Sequence, residues 1–200
     1  AASSVEVFSD SVELKSVSIQ RVWKAAFEDA HIALPKSAPH VVERVEYSEV
    51  PLPAGICPHR PFPQEYVCIH MSLPSLLITT SSNICTCTPP LLGHAEKVSK
   101  EKHPDHLVLF VKEKVVELDP SAWTLKVEII EGGFLGILVK RYNATFHIKE
   151  TGPTSCSVHW TFEYEALSEK HRHHVPLALK DTIPITFLDI QTFLLSHPEY

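Results

Sequence analysis

The chain has 200 residues, of which 44% are hydrophobic and 21% are charged, and its formal net charge at pH 7 is −6. A chain of this length and composition forms one globular domain, or one domain with a large insertion. The negative charge argues against a protein that binds nucleic acid by neutralising phosphates. Because the N-terminal stretch AASSVEVFSDSVELK contains no apolar run, we do not expect it to act as a secretory signal.

The cysteines indicate a reducing compartment. The chain has five of them, an odd number, and four lie between residues 50 and 93. This clustering differs from the disulfide frameworks of small secreted domains. We therefore predict a cytoplasmic protein with reduced thiols, with the nucleus as an alternative location.

The first predicted helix begins after Ser18, which is a suitable N-cap. From Ile19 to Ala30 apolar residues recur every three or four positions, as in a helix with one buried stripe. We expect Pro35 and Pro39 to end this helix and to open a short turn or a second helix, because proline disfavours helical geometry in the residue before it. The stretch RVEYSE, from Arg44, is then predicted to be a strand.

Residues 50 to 93 differ from the rest of the chain. Their only formal charges are Arg60 and Glu65, and they contain eight of the sixteen prolines. Because neither helical nor strand periodicity is present, we predict little regular structure and few core contacts over residues 50–105. A membrane segment from Tyr66 to Ile84 is a weaker alternative, since Pro74 and several polar residues interrupt it.

The second half of the chain has the period-two pattern of strands with one buried face. The predicted strands are HLVLFVKEKVVEL, WTLKVEII, RYNATFHIKE and CSVHWTFEYEA. Gly152-Pro153 is predicted to form the hairpin between the last two, and EGGFLG a turn or bulge. A long helix follows, with Pro176 in its first turn and Pro184 as a potential kink. This order of elements predicts an α+β fold with an antiparallel sheet and helices on one side.

Few residues are candidates for chemistry. Glu113 shares the predicted face of Val111 and Val115, so it points inward unless a bulge turns it outward, and both interpretations remain open. The run EKHRHHV resembles a metal chelator, yet a solvated loop is the favoured interpretation. Cys85-Thr86-Cys87 lacks partners at the spacing of a common zinc module. We therefore predict neither a metal nor a cofactor.

Parts of the chain resemble the birch-pollen-allergen and pathogenesis-related class 10 proteins of plants. The resemblance lies in IEGG, the TGPTSC hairpin and the closing FLLSHPEY, and in SVSIQRVWKAAFEDAHIALPKSAPHVVERVEYSE near the N-terminus. It covers residues 5–49 and about 106–200. It implies a single domain of the helix-grip fold, related to the START-like proteins, in which a seven-stranded antiparallel sheet wraps around a long C-terminal helix and encloses an apolar cavity.

The resemblance also implies a function, namely binding or carriage of a small amphipathic ligand of the plant hormone, flavonoid or alkaloid type. The setting would be plant defence or hormone response, in a monomer that needs neither nucleic acid nor membrane. Lys36, in the Leu-Pro-Lys turn, is either a polar anchor for a ligand carboxylate or a solvated residue. The cavity wall would consist of Phe110, Glu113, Leu125, Val127, Ile129, Phe134, Tyr142, Ala144, Phe146, Trp160, Phe162, Tyr164, Ile183, Phe187 and Ile190.

Three activities known in the family were compared with the residues of this chain. Its norcoclaurine synthases use a tyrosine, a glutamate, a lysine and an aspartate, and the matching residues here are Val111, Glu113, Leu125 and Ala144. Because only the glutamate remains, we expect no synthase activity, although an enzyme using Glu113 as a lone acid–base stays an alternative. A receptor of the abscisic-acid type, which inhibits a protein phosphatase, is a further alternative that lacks the family's gate and latch motifs. Ribonuclease activity ranks last.

Residues 50 to about 105 depart from the resemblance, because the family's glycine-rich loop is absent there. One hypothesis is that Val50 to about Lys97 is translated intron, since valine codons begin with the dinucleotide that opens introns. The other is a genuine insertion. On the intron hypothesis, two strands would be missing and a free sheet edge would be exposed.

Overall fold

The computed structural model describes residues 4–48, 66–71 and 110–200. Within these ranges the chain forms one antiparallel sheet and a small number of helices, which confirms the predicted α+β class. The strands are β1 (Glu6–Lys15), β2 (Val42–Ser48), β3 (Tyr66–Met71), β4 (Phe110–Asp119), β5 (Thr124–Gly132), β6 (Val139–Gly152) and β7 (Ser155–Ala166). The α-helices are α1 (Ile19–Trp23), α2 (Ala30–Ser37) and α3 (His174–Ser196).

The sheet has seven strands in the order β1-β7-β6-β5-β4-β3-β2, and every neighbouring pair is antiparallel. The alternation predicted for β6 and β7 is confirmed, because Tyr142 and Trp160 are buried whereas Arg141 and Glu163 are exposed. The predicted hairpin is confirmed as well, since β6 ends at Gly152 and β7 begins at Ser155. One face of the sheet, called the inner face below, therefore holds the core.

Residues 66–71 correct the prediction of little regular structure over 50–105. They form β3, which pairs with β2 on one side and with β4 on the other. The predicted free edge is therefore absent at this position of the sheet, because β3 lies between β2 and β4. Six residues suffice for this because both neighbours supply hydrogen-bonding partners. The remainder of the segment lies outside the described residues.

The first predicted helix is divided in two. A π-helical segment, Lys24–Glu28, follows α1, and the chain bends at Asp29 before α2 begins. The Asp29 N–H donates to the Lys24 carbonyl over 2.8 Å, and Trp23 Nε1 donates to Glu28 Oε1 over 3.0 Å, so each bond spans five residues. Of the two prolines predicted to end the helix, Pro35 lies inside α2 instead. Helix α2 ends at Ser37, before Pro39.

Helix α3 has Pro176 in its first turn, as predicted, and runs through Pro184. Proline has no N–H, so the fourth carbonyl before Pro184 receives no helical hydrogen bond from it. Arg21 holds the other end of the helix, because its Nη2 donates to the carbonyls of Leu194 at 2.6 Å and His197 at 2.9 Å. None of the helices in the described ranges is long and apolar enough to cross a membrane.

An aromatic cluster joins α3 and the π-helical segment to the inner face of the sheet. The ring of Phe187, on α3, stacks on Trp160 with centroids 6.4 Å apart and an interplanar angle of 10°. Phe146 lies 6.2 Å from Phe187 and 5.8 Å from Phe27, again between centroids. Aromatic side chains bury much area and contribute strongly to packing, so this end of the interior is filled by protein.

Candidate ligand-binding site

The inner face of the sheet is not packed evenly. Along β6 and β7 its side chains are mostly buried, and those of Ile148 and Val158 are at most 1% exposed, although Phe146 of β6 is only half-buried. On β3 and β4 the inner residues remain only half-buried, although they belong to the same apolar face. The half-buried inner residues are Val67, Ile69, Val111, Val115, Leu125 and Phe146. Accessible apolar surface inside a fold is the kind of wall that small-molecule sites use.

Glu113 lies in the middle of this half-buried area. It faces Val67 of β3 and Ile129 of β5 across the two ladders, and Ile129 is buried, so Glu113 points to the inner face. Two register shifts interrupt the β4–β5 ladder, one immediately before Glu113 and one after Val115, and neither turns Glu113 outward. Of the two orientations that the sequence left open, the inward one is therefore correct.

The position of Glu113 changes its acidity. Burial among apolar side chains raises the pKa of Glu113 from 4.5 to about 7, because the charged form loses hydration. In the described part of the chain, no hydrogen-bond donor or cation offsets this loss. A carboxyl group of this kind is protonated in about half of the molecules near neutral pH, so it is able both to donate and to accept a proton.

Tyr142 is the second polar group of the interior. Its hydroxyl accepts a hydrogen bond from the Phe134 N–H over 3.3 Å, and burial together with the negative charge of Glu113 raises the pKa of Tyr142. Gly133 makes room for this hydroxyl, because a β-carbon there would collide with Tyr142 Oη and lie 3.4 Å from Val111. Gly133 also has φ +56, a left-handed conformation that favours glycine. The glycines of EGGFLG therefore shape the site, a role that the sequence analysis did not assign.

Most of the predicted cavity residues lie on the inner face or in the adjoining core. Phe110 is the exception, because it pairs with His70 on the outer face, where their ring centroids are 6.4 Å apart. The alternation along β4 places Val111 inward instead. The buried members of the predicted set are Val127, Ile129, Phe134, Tyr142, Ala144, Trp160, Phe162, Tyr164, Phe187 and Ile190, and the half-buried ones are Glu113, Leu125, Phe146 and Ile183.

Lys36 lies in the last turn of α2, and its side chain is exposed. This position agrees with the interpretation of Lys36 as a solvated residue. No contact in the described structure joins Lys36 to Glu113 or Tyr142, so the polar groups near the half-buried area are a carboxyl and a phenol.

The histidine run and the cysteines do not form a metal centre in the described ranges, where no three His, Cys, Asp or Glu side chains are grouped to hold an ion. His171 and His174 lie at the start of α3 with ring centroids 5.9 Å apart. Cys68 is on the outer face with Sγ 3.5 Å from His70 Nε2, and burial raises the pKa of this thiol. Cys85 and Cys87 lie outside the described residues.

Searches against family models and against curated proteins find no match for this chain. Solved structures do match. Norcoclaurine synthase from Thalictrum flavum is similar over 98% of this chain and 89% of its own, with a TM-score of 0.61 and 20% identity. Ginseng major latex-like protein 151 from Panax ginseng is similar over 94% of this chain and 97% of its own, with a TM-score of 0.62 and 15% identity.

The structure of Ara h 8.0201 is a third similar one, with a TM-score of 0.57, 14% identity and coverage of 96% of this chain and 99% of its own. Likeness at such low identity is a likeness of fold. This chain therefore has the helix-grip fold of these three proteins, the fold that its resemblance to the birch-pollen-allergen and pathogenesis-related class 10 family implied.

Proposed function

We propose that this protein binds and carries a small amphipathic molecule between α3 and the inner face of β3, β4 and β5. One observation carries the proposal: the apolar inner side chains of β3 and β4, together with Leu125 of β5, stay half-buried around a single carboxyl group. A packed core would bury such residues fully, as it buries Ile148 of β6 and Val158 of β7. An amphipathic molecule would cover the apolar wall and place one polar group near Glu113.

The solved structures support the choice of ligand size. Norcoclaurine synthase from Thalictrum flavum, which shares the fold at 20% identity, is also known in complex with dopamine and hydroxybenzaldehyde. Both are small molecules with an aromatic ring and polar substituents. For this chain we propose carriage of a ligand of that size in defence or hormone response, as a cytoplasmic monomer without nucleic-acid or membrane partners.

Catalysis is the second candidate function, and a specific observation favours it. With a pKa of about 7, Glu113 is suited to general acid–base catalysis at neutral pH. Three other residues argue against the family's amine–aldehyde condensation, because Val111, Leu125 and Ala144 stand where the synthases have tyrosine, lysine and aspartate. Any reaction would therefore depend on Glu113 with Tyr142 as its only polar neighbour among the described inner-face residues.

Receptor activity with a protein phosphatase as partner is a weaker alternative. The turn EGGFLG occupies the position of the family's latch motif. The gate would fall among residues outside the described ranges. We therefore rank carriage first, lone-glutamate catalysis second and receptor function third.

Thermal unfolding with and without ligands tests carriage. Native mass spectrometry of protein from its own tissue would identify a bound molecule, which is then titrated against the purified chain. At a hundredfold excess over the dissociation constant, binding stabilises the fold by about 2.7 kcal/mol. Leu125→Trp should fill the inner face and abolish the thermal shift, whereas Ile130→Trp, at an exposed outer position of the same strand, should retain it.

Two outcomes of this experiment would reject carriage. The first is the absence of any co-purified molecule together with no thermal shift from amphipathic compounds. The second is an equal loss of the shift in both tryptophan variants, since the outer one does not touch the site. Turnover of the bound molecule with a pH–rate profile that disappears in Glu113→Gln would instead select the catalytic alternative.

A further inference from the structure

We infer that the interior selects organic cations, so that the bound molecule is an amphipathic amine whose ammonium group contacts the carboxylate of Glu113. This deepens the proposed binding function and rests on it. The geometry points to it, because Glu113 is the only acidic side chain of the described inner face that lies in the half-buried area. The ligand would supply the positive charge that the described inner face does not.

The nearest lysines along the same strand cannot serve as partners. Lys112 and Lys114 flank Glu113, but alternation places both on the outer face, opposite Glu131 and Glu128 of β5. Lys112 Nζ lies 3.9 Å from Glu131 Oε2 on that side of the sheet. The sheet therefore separates these cations from the inner carboxyl group.

The groups that do face Glu113 are apolar or neutral. Across the ladders it faces Val67 and Ile129, and its neighbours on β4 along the same face are Val111 and Val115. The one titratable group that faces it from another described element is Tyr142, whose raised pKa keeps the phenol neutral at physiological pH. A carboxylate among such neighbours is hydrated poorly and gains much from a cation.

Charge then discriminates between ligands of the same shape. A protonated amine forms a charge-assisted hydrogen bond with the carboxylate in a medium of low dielectric constant. A neutral alcohol of the same size forms only an ordinary hydrogen bond, and a ligand carboxylate meets charge repulsion. At pH 8.5, where Glu113 is ionised, we therefore expect the amine to bind at least tenfold more tightly than the alcohol, and the anion to bind most weakly.

Binding should also depend on pH, since an ammonium group prefers the ionised form of Glu113. At pH 6 most molecules hold the carboxyl proton, which must be released when a cation binds. At pH 8.5 the carboxyl group is already ionised. The affinity for an amine should therefore rise by about tenfold between these values, while the affinity for a neutral ligand stays constant or falls.

Three probes that share an indole ring and a two-carbon chain test this: tryptamine (a cation), tryptophol (neutral) and indole-3-propionate (an anion). Isothermal titration calorimetry at pH 6.0 and 8.5 would measure their dissociation constants for the wild type, Glu113→Gln and Glu117→Gln. Glu117 is the matched control, because it is an exposed acid on the same strand. We expect Glu113→Gln to lose the preference for tryptamine and its pH dependence, and Glu117→Gln to keep both.

The outcomes separate this inference from the proposed function. If tryptophol binds as tightly as tryptamine to the wild type at pH 8.5, or the preference survives in Glu113→Gln, cation selection is wrong while interior binding stands. If none of the three probes binds at millimolar concentration, interior binding fails and cation selection with it. Retained tryptophol binding by Glu113→Gln shows that this variant folds, so loss of tryptamine binding is then specific.

Discussion

Removal of the Glu113 charge should stabilise the protein at neutral and alkaline pH. The folded state raises the pKa of this carboxyl group from 4.5 to about 7, so the folded protein retains a proton that the unfolded chain releases. Between these two values the free energy of unfolding falls as pH rises, because the folded state binds more protons there. Below pH 4.5 the penalty is absent, and above pH 7 it is complete.

The magnitude follows from the same two values. The difference between 4.5 and about 7, at 1.36 kcal/mol for each pH unit, amounts to about 3 kcal/mol. This is a large share of the stability of a typical domain, which is roughly 5–15 kcal/mol. Glu113→Gln keeps the size and hydrogen-bonding capacity of the protonated form but cannot ionise. It should therefore be more stable than the wild type by up to about 3 kcal/mol at pH 8, and similar at pH 4.5.

Urea unfolding at pH 4.5, 6, 7 and 8, followed by circular dichroism, measures this difference. Glu117→Gln, on the same strand but exposed, serves as the control and should follow the wild-type curve. If the free energy of unfolding declines between pH 5 and 7 by the same amount in the wild type and in Glu113→Gln, groups other than Glu113 cause the decline. A Glu113→Gln variant less stable than the wild type at pH 8 would show that the ionised carboxylate has a partner.

Three further predictions concern the packing around the site and the last turn of α3. Gly133→Ala should destabilise the fold by about 1–3 kcal/mol, because the added β-carbon collides with the Tyr142 hydroxyl. Combining it with Tyr142→Phe should restore part of this stability, as measured by thermal unfolding in a double-mutant cycle. Phe187→Trp should lower the free energy of unfolding by roughly 1–3 kcal/mol, because the Phe187 ring is 5% exposed and stacked on Trp160. Val115→Phe, in the half-buried area, should lower it by less and should weaken ligand binding measured by calorimetry. Equal costs for these two variants would mean that the inner face is packed throughout. Arg21→Met should expose the carbonyls in the last turn of α3 and increase amide hydrogen exchange there, with little change in exchange on β6.

Local pattern accounts for the elements that the sequence predicted well. In β6 and β7 the alternation of apolar and polar residues determines which face is buried, since successive side chains of a strand point to opposite sides. The hairpin at Gly152 is equally local, because two residues suffice to reverse an antiparallel strand. Helix α3 also follows from the spacing of its apolar residues, despite Pro184 in its interior.

Non-local contacts decided the rest. In Tyr66–Met71, Val67 and Ile69 alternate with Cys68 and His70, but this signal spans only six residues of a proline-rich segment. Its backbone becomes a strand because β2 and β4 offer hydrogen bonds on both sides. The first helix is divided by a π-helical segment, closed by a bond from the Asp29 N–H to the Lys24 carbonyl, which helical periodicity does not indicate. The family resemblance placed Phe110 in the cavity wall, yet its pairing with His70 places it on the outer face.

The same division holds for the candidate site. The sequence by itself determined that Glu113 interrupts an apolar strand face, and it left the inward and outward orientations open. Only the tertiary structure placed it against Val67 and Ile129, on the face opposite its neighbours Lys112 and Lys114, because strand register is set by the neighbouring strands. The acidity of Glu113 follows from that placement, since a pKa depends on the hydration and charges around a group and these come from residues distant in the chain.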